Sequence, residues 1–125
     1  MSNTKRIIQT FAVIDAHDIS GSITGDETNT AWVDTVVYEV AFTGANPLGT
    51  LQFEAVLRSK GTDGLDADQW KLVDFGTTGT SISITGAVSH TFIFSPCVFQ
   101  KIRPKYTTAS TSAGALTVIV SGKES

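Results

Sequence analysis

The sequence predicts an all-β fold: a single antiparallel β-sandwich, jelly-roll-like, of about eight to nine strands with little or no helix. Three observations predict it. Apolar residues recur with a period of two and not with the period of a helix. The apolar runs are β-branched and aromatic, and each ends in Gly, Pro, Asn, Ser or Thr. The runs follow one another at roughly eight- to twelve-residue spacing, the rhythm of sandwiches and barrels. A chain of 125 residues suits one domain, residues 1–125, with one core. A hydrophobic content of 41% is enough to fill that core, so disorder is not expected.

The elements are justified in order. Residues 1–6 read as a loosely held end. "IIQTFAVID" opens strand 7–15, and "ISGSIT" offers a second at 19–24. In "TVVYEVAFTG" Val36, Tyr38, Val40 and Phe42 share one face, which sets strand 35–43. "TGANPLG", Thr43 to Gly49, reads as a hairpin connection, with Asn46-Pro47 and Gly49 making the turn. Strand 50–58 then turns Leu51, Phe53, Ala55 and Leu57 one way and Gln52, Glu54, Val56 and Arg58 the other. "KGTDGLDAD" is a polar loop, with at most a helical turn around 64–69. Strands follow at 70–75, 81–85 and 89–95; in the last, Phe92 and Phe94 share a face with His90. Strand 101–108, "KIRPKYTT", points Ile102 and Tyr106 to the core and Lys101, Arg103 and Lys105 away from it. Pro104 cannot donate to a ladder, which marks that strand as an edge or a bulge. Gly114 is free to take positive φ in the link before strand 115–122, where Leu116, Val118 and Val120 face inward. Residues 123–125 form a second loose end.

Chemistry-bearing residues are sparse. Net charge is −3, opposite to the basic excess of a nucleic-acid binder. The only histidines are His17 and His90, and neither HxxxH nor CxxC spacing occurs, so no metal motif is present. His90 and the single cysteine, Cys97, are seven residues apart along an extended chain, beyond the reach of a nucleophile–base pair. A strand histidine and a small buried thiol are the expected roles. Asp63, Asp66 and Asp68 are weak candidates for calcium, since three carboxylates and loop carbonyls suit that ion. The spacing misses the EF-hand pattern, and Asp and Gly are ordinary loop residues, so no metal is expected there. Asp15, Asp18, Asp26 and Glu27 form a second acidic region without an aromatic cluster beside it. Trp32, Trp70 and Tyr106 could build a sugar-stacking platform, although Trp70 is expected to plug the core or its end. Gly76 and Gly79 lack the lysine and helix of a phosphate loop. The stripe Lys101, Arg103, Lys105 has no basic or stacking neighbours, and charged edge residues commonly serve to block unwanted pairing. A paired Arg103 could buttress the fold or meet an acidic neighbour such as Asp74. No stretch is apolar enough to span a bilayer. After Lys5 and Arg6 the apolar stretch is short and broken by Gln9 and Asp15, so no signal peptide is expected.

One ordered pattern goes beyond composition. Thr43-Gly44 closes a strand, Gly49 to Phe53 opens the next, and Trp70 to Val73 reads W-K-L-V, with valine at the fourth place of a W-x-x-L element. Arg103 to Thr107 supplies R-x-x-Y-T, and Leu116 to Lys123, two residues before the last, reads L-x-V-x-V-S-G-K. This order, from about Ala16 to Lys123, resembles small β-sandwich virion structural proteins of tailed bacteriophages. Pro104 departs from the pattern, where a plain strand residue is usual, and "RSKGTDGLDAD" is a longer loop than the family's. The resemblance implies a non-enzymatic role without cofactor: a capsid decoration or cement protein, or a tail or fibre component, made in the host cytoplasm and carried in the virion. It implies other virion proteins as partners, a major capsid or tail protein, and no nucleic acid or membrane. A homo-oligomer or lattice-bound array is expected. Interface candidates are Ile7, Ile8 and Phe11, which could supply an intersubunit strand, together with Trp32, Lys101, Arg103 and Lys105. A carbohydrate-binding β-sandwich module is the alternative of a different class.

Overall fold

The computed structural model describes residues 7–31, 33–57, 60–61, 64–95 and 97–123. The described strands are Ile7–Asp18 (β1), Ile23–Thr24 (β2), Thr28–Asn29 (β3), Thr35–Asn46 (β4), Gly49–Val56 (β5), Trp70–Leu72 (β6), Ile82–Ile84 (β7), Val88–Phe94 (β8), Lys101–Thr108 (β9) and Ala113–Lys123 (β10). They form two antiparallel sheets. Sheet A runs β1-β10-β4-β8; sheet B runs β2-β9-β5-β6, with β3 also on β9 and β7 also on β5. Taking β2–β3 and β6–β7 as interrupted single strands, the first strand pairs with the last, the second with the penultimate, and so inward. That nesting is a long hairpin rolled into two sheets, the jelly-roll topology.

The period-two faces meet in the middle. Val36, Tyr38, Val40 and Phe42 of β4 and Leu116, Val118 and Val120 of β10 face Leu51, Phe53 and Ala55 of β5 and Ile102 and Tyr106 of β9 in one buried cluster. Tyr38 crosses the core to donate to the Ile102 carbonyl at 3.3 Å. Burial pushes its phenol pKa above the ordinary tyrosine value, against the smaller opposing effect of Thr28. Leu57 does not join its predicted face; it lies beyond the end of β5 and is exposed.

Two expectations about local structure are corrected, and one is narrowed. Thr43 to Gly49 is not a hairpin: β4 belongs to sheet A and β5 to sheet B, so Pro47-Leu48 carries the chain across the sandwich. Pro47 is buried there, and the Leu48 N–H donates to the Ser112 hydroxyl at 3.1 Å. No helical turn forms among the described residues of 64–69. Gly64 takes φ +75° and the Gly61 N–H closes onto the Leu65 carbonyl, leaving a 3-10 turn at Gly76–Thr78 as the described helical element. Pro104 is neither on an edge nor at a bulge, because β9 pairs with β5 in unbroken register on one side and with β2 and β3 on the other. Its carbonyl accepts from the Gly25 N–H, so its missing donor faces the gap between β2 and β3, where no ladder bond is lost.

The segment filling that gap closes one side of the sandwich. The Gly25 N–H bonds Pro104 in sheet B at 2.9 Å, and the Asp26 N–H bonds the Val13 carbonyl in sheet A at 3.1 Å. A Cβ at Gly25 would lie 2.7 Å from Pro104 Cγ and 2.8 Å from Ile14 Cγ1, so the close approach requires glycine. On the opposite side, β8 lies along Val73 and Phe75, and rings fill the seam: Phe53 contacts Phe92 at 4.9 Å, Phe75 contacts Phe92 at 5.6 Å, and Phe94 contacts Phe99 at 6.2 Å. No described helix is long and apolar enough to cross a membrane.

Candidate functional site

The outer face of sheet B carries the basic stripe, and two of its three cations, Lys101 and Arg103, are paired with carboxylates. Alternation along β9 turns Lys101, Arg103 and Lys105 outward while Ile102, Pro104 and Tyr106 are buried. Arg103 sits directly across from Glu54 on β5, and its Nε donates to Glu54 Oε1 at 2.9 Å. The guanidinium lies 3.8 Å from the centre of the Trp70 ring. Arg103 therefore meets Glu54 and not Asp74; the cross-strand register decides its partner. Trp70 is corrected in the same way. It does not plug the core but lies half-buried on the outer face of sheet B, opposite Val56 and under Arg103. Such a stack contributes cation–π attraction and shields both groups from water.

Lys101 donates to Asp68 Oδ2 at 2.7 Å and lies 3.5 Å from Glu27. The other oxygen of Asp68 accepts the Lys60 backbone N–H at 2.6 Å. These bonds pull the segment between β5 and β6 back onto the sheet. The Lys101 hydrogen bond, and then the Lys60 amide, hold the Asp68 carboxyl below its usual pKa; the same bond raises that of Lys101. Both Asp68 oxygens are thus engaged by nitrogen donors. Asp66 is exposed, and Asp63 lies outside the described residues. Among the described residues no group of three or more His, Cys, Asp or Glu side chains could hold a metal ion.

The remaining candidates are dispersed. Tyr106 is buried, with its hydroxyl bonded to Leu48 and near Ser112, so it cannot share a sugar platform with Trp70. Trp32 lies outside the described residues. The His17 ring lies 2.8 Å from the Gly21 carbonyl and His90 packs on Phe92. Cys97 is half-buried beside the core, its thiol 3.9 Å from the Phe99 carbonyl. Asp18 accepts from the Ser20 backbone N–H at 3.0 Å, which lowers its pKa. The β1 backbone starts at Ile7, opposite Lys123 of β10. The side chains of Ile7 and Ile8 lie outside the described part of the chain, and Phe11 packs against the core.

A different surface emerges around β8. From Val37 to Ala41, Ser89 to Ile93 and Thr117 to Ser121, the outward positions of sheet A carry one charge, Glu39. Ile93 is 64% exposed at its margin, and Val98 just beyond is 65% exposed. Beside β8 runs a groove of about 440 Å³ whose lining includes Val73, Phe75, Phe92, Phe94 and Phe99, with Asp74 as its one charged member. Depletion of charge with enrichment in aromatic residues is the composition of interface cores. Sequence reading passed over this surface, although Val88 to Ser95 lacks every residue that ordinarily blunts a strand edge.

No protein-family model matches the sequence, and no curated protein matches it. The fold has a full-length counterpart in the crystal structure of the SPBc2 prophage-derived protein YomS. The TM-score is 0.63 at 14% sequence identity, covering 99% of this chain and 98% of that one. At that identity the likeness is one of fold.

Proposed function

We propose that this chain is a non-enzymatic structural protein of a tailed-phage virion, acting as a capsid decoration or cement protein that binds the shell by surface complementarity. The observation that carries this reading is the end-to-end fold likeness to a prophage-derived protein, with almost no length unmatched on either side. The ordered elements Gly49 to Phe53, Trp70 to Val73 and Arg103 to Thr107 point the same way. Local chemistry is compatible with it. Lys101, Arg103 and Glu54 of sheet B are spent on holding β9, β5 and Asp68 together, while the outward positions of β4, β8 and β10 offer a face with Glu39 as its one charge from Val37 to Ala41, Ser89 to Ile93 and Thr117 to Ser121. A protein that recognises another protein in many copies needs such a face more than it needs a pocket.

Purified protein mixed with undecorated shells should bind in a fixed stoichiometry, read by co-sedimentation and quantitative mass spectrometry. Saturable binding to tails or fibres, with none to heads, would replace the decoration role with a tail role. Absence of the protein from purified particles would end the virion reading.

A further inference from the structure

The geometry points to β8 as a self-pairing edge: two copies of this chain join antiparallel through Val88–Phe94, about a two-fold axis, to make one continuous eight-stranded sheet. The inference stands on edge chemistry and does not depend on the virion reading.

A two-sheet sandwich has four edges, and unpaired backbone at an edge is a template for another strand. Among the described residues, three of the four are blunted. The β1 edge has three breaks in its register with β10 and is bridged at Val13 by the Asp26 N–H. The β9 side ends in β2 and β3, two residues each, and the β5 side in β6 and β7, three residues each. β8 has none of these devices. Its seven residues pair with β4 in unbroken register, and it contains no Lys, Arg, Asp, Glu or Pro.

The occupant that best fits this edge is the same edge. Across a two-fold axis each residue meets its own counterpart or a near neighbour, so a charged strand would oppose like charges. β8 carries no fixed charge and incurs no such penalty. The lining of the groove beside β8 includes Val73, Phe75, Phe92, Phe94 and Phe99 together with Asp74, so the strand that covers its aromatic part must present mainly apolar groups on its inner face. β8 itself does, with Val88, Phe92 and Phe94 on the same face as His90. With Thr91 opposite Thr91, all seven residues are used, Ile93 falls opposite Ser89, and inner faces stay inner. One unblunted edge per chain also closes the assembly at two, because an isologous contact leaves no free copy of itself.

Sedimentation of the wild-type chain from micromolar to millimolar concentration should show a monomer–dimer equilibrium. Ser89→Lys with Ile93→Lys, both exposed positions, places lysines opposite one another and should weaken the dimer at least about tenfold with the melting temperature held. Ile119→Lys, on the same outer face away from the edge, should leave it unchanged. Thr91→Lys repeats the test should the double variant fail to fold. A wild-type chain that stays monomeric throughout overturns the inference. So does any assembly that the β8 lysines leave intact, including one held by sheet A's face.

Discussion

The Tyr106 hydroxyl donates to the Leu48 carbonyl and lies 3.1 Å from Ser112 Oγ, which in turn accepts the Leu48 N–H. This buried ring of bonds fixes the crossing between the sheets. Tyr106→Phe leaves Ser112 and the Leu48 carbonyl short of partners and should cost about 1–3 kcal/mol in urea unfolding. Tyr38→Phe, which gives up one long bond of 3.3 Å, should cost less; equal losses would mean the Ser112 ring adds nothing. Gly114 makes a sharper demand. It has φ +141° at the register break between β10 and β4, where a Cβ would run into the Thr43 carbonyl oxygen. Gly114→Ala should therefore destabilise by about 2 kcal/mol or more, measured the same way. Inward residues such as Ile102 and Tyr106 were legible in the sequence, because alternation alone assigns a face. Partners on the outer face were not. Glu54 and Asp74 look alike in sequence, and only the register between β5 and β9 selects Glu54 for Arg103.

Among the elements, the polar stretch before β6 is held by the two oxygens of Asp68. Its pKa is depressed, so the ion pair with Lys101 is fully present above the ordinary carboxylate value of about 3.9 and is lost as pH falls through the lower folded-state value. For Lys101, raised by the same bond, the contribution holds below the ordinary lysine value of about 10.4 and is lost as pH rises through the higher folded-state value. Hydrogen exchange at the Lys60 amide should be slow, relative to its intrinsic rate, between these limits and accelerate below the acid one. Asp68→Ala should abolish the protection at neutral pH while the core strands keep theirs. Unchanged exchange at Lys60 would show that other contacts dock the segment. Strand positions were legible because turn residues bracket each run. The Thr43–Gly49 link misled, since Asn, Pro and Gly fit a hairpin turn as well as an arch, and the choice between them rests on which sheet receives β5. The openness of β8 was equally hidden, because an edge is defined by the neighbour a strand lacks.

For the molecule as a whole, pairing the first strand with the last means that most ladders join residues distant in sequence. Loop closure must precede the contacts that reward it, so folding is expected on the millisecond-to-second scale in stopped-flow fluorescence. Microsecond folding would contradict a topology-limited route. The fold class was readable from periodicity and spacing, whereas the nesting of the strands was not, since any order of the same strands would bury the same faces. The two seams of the sandwich are built differently, and this has a mechanical consequence. Where Gly25 and Asp26 tie Pro104 to Val13, main-chain bonds act as a hinge. Beside β8, aromatic rings meet edge-on or tilted without such stitching among the described residues, and ring contacts can slide where hydrogen bonds must break. Thermal breathing should therefore swing the sheets apart like a shell opening from its unhinged lip, with amides near Phe75 and Phe94 exchanging before those near Val13.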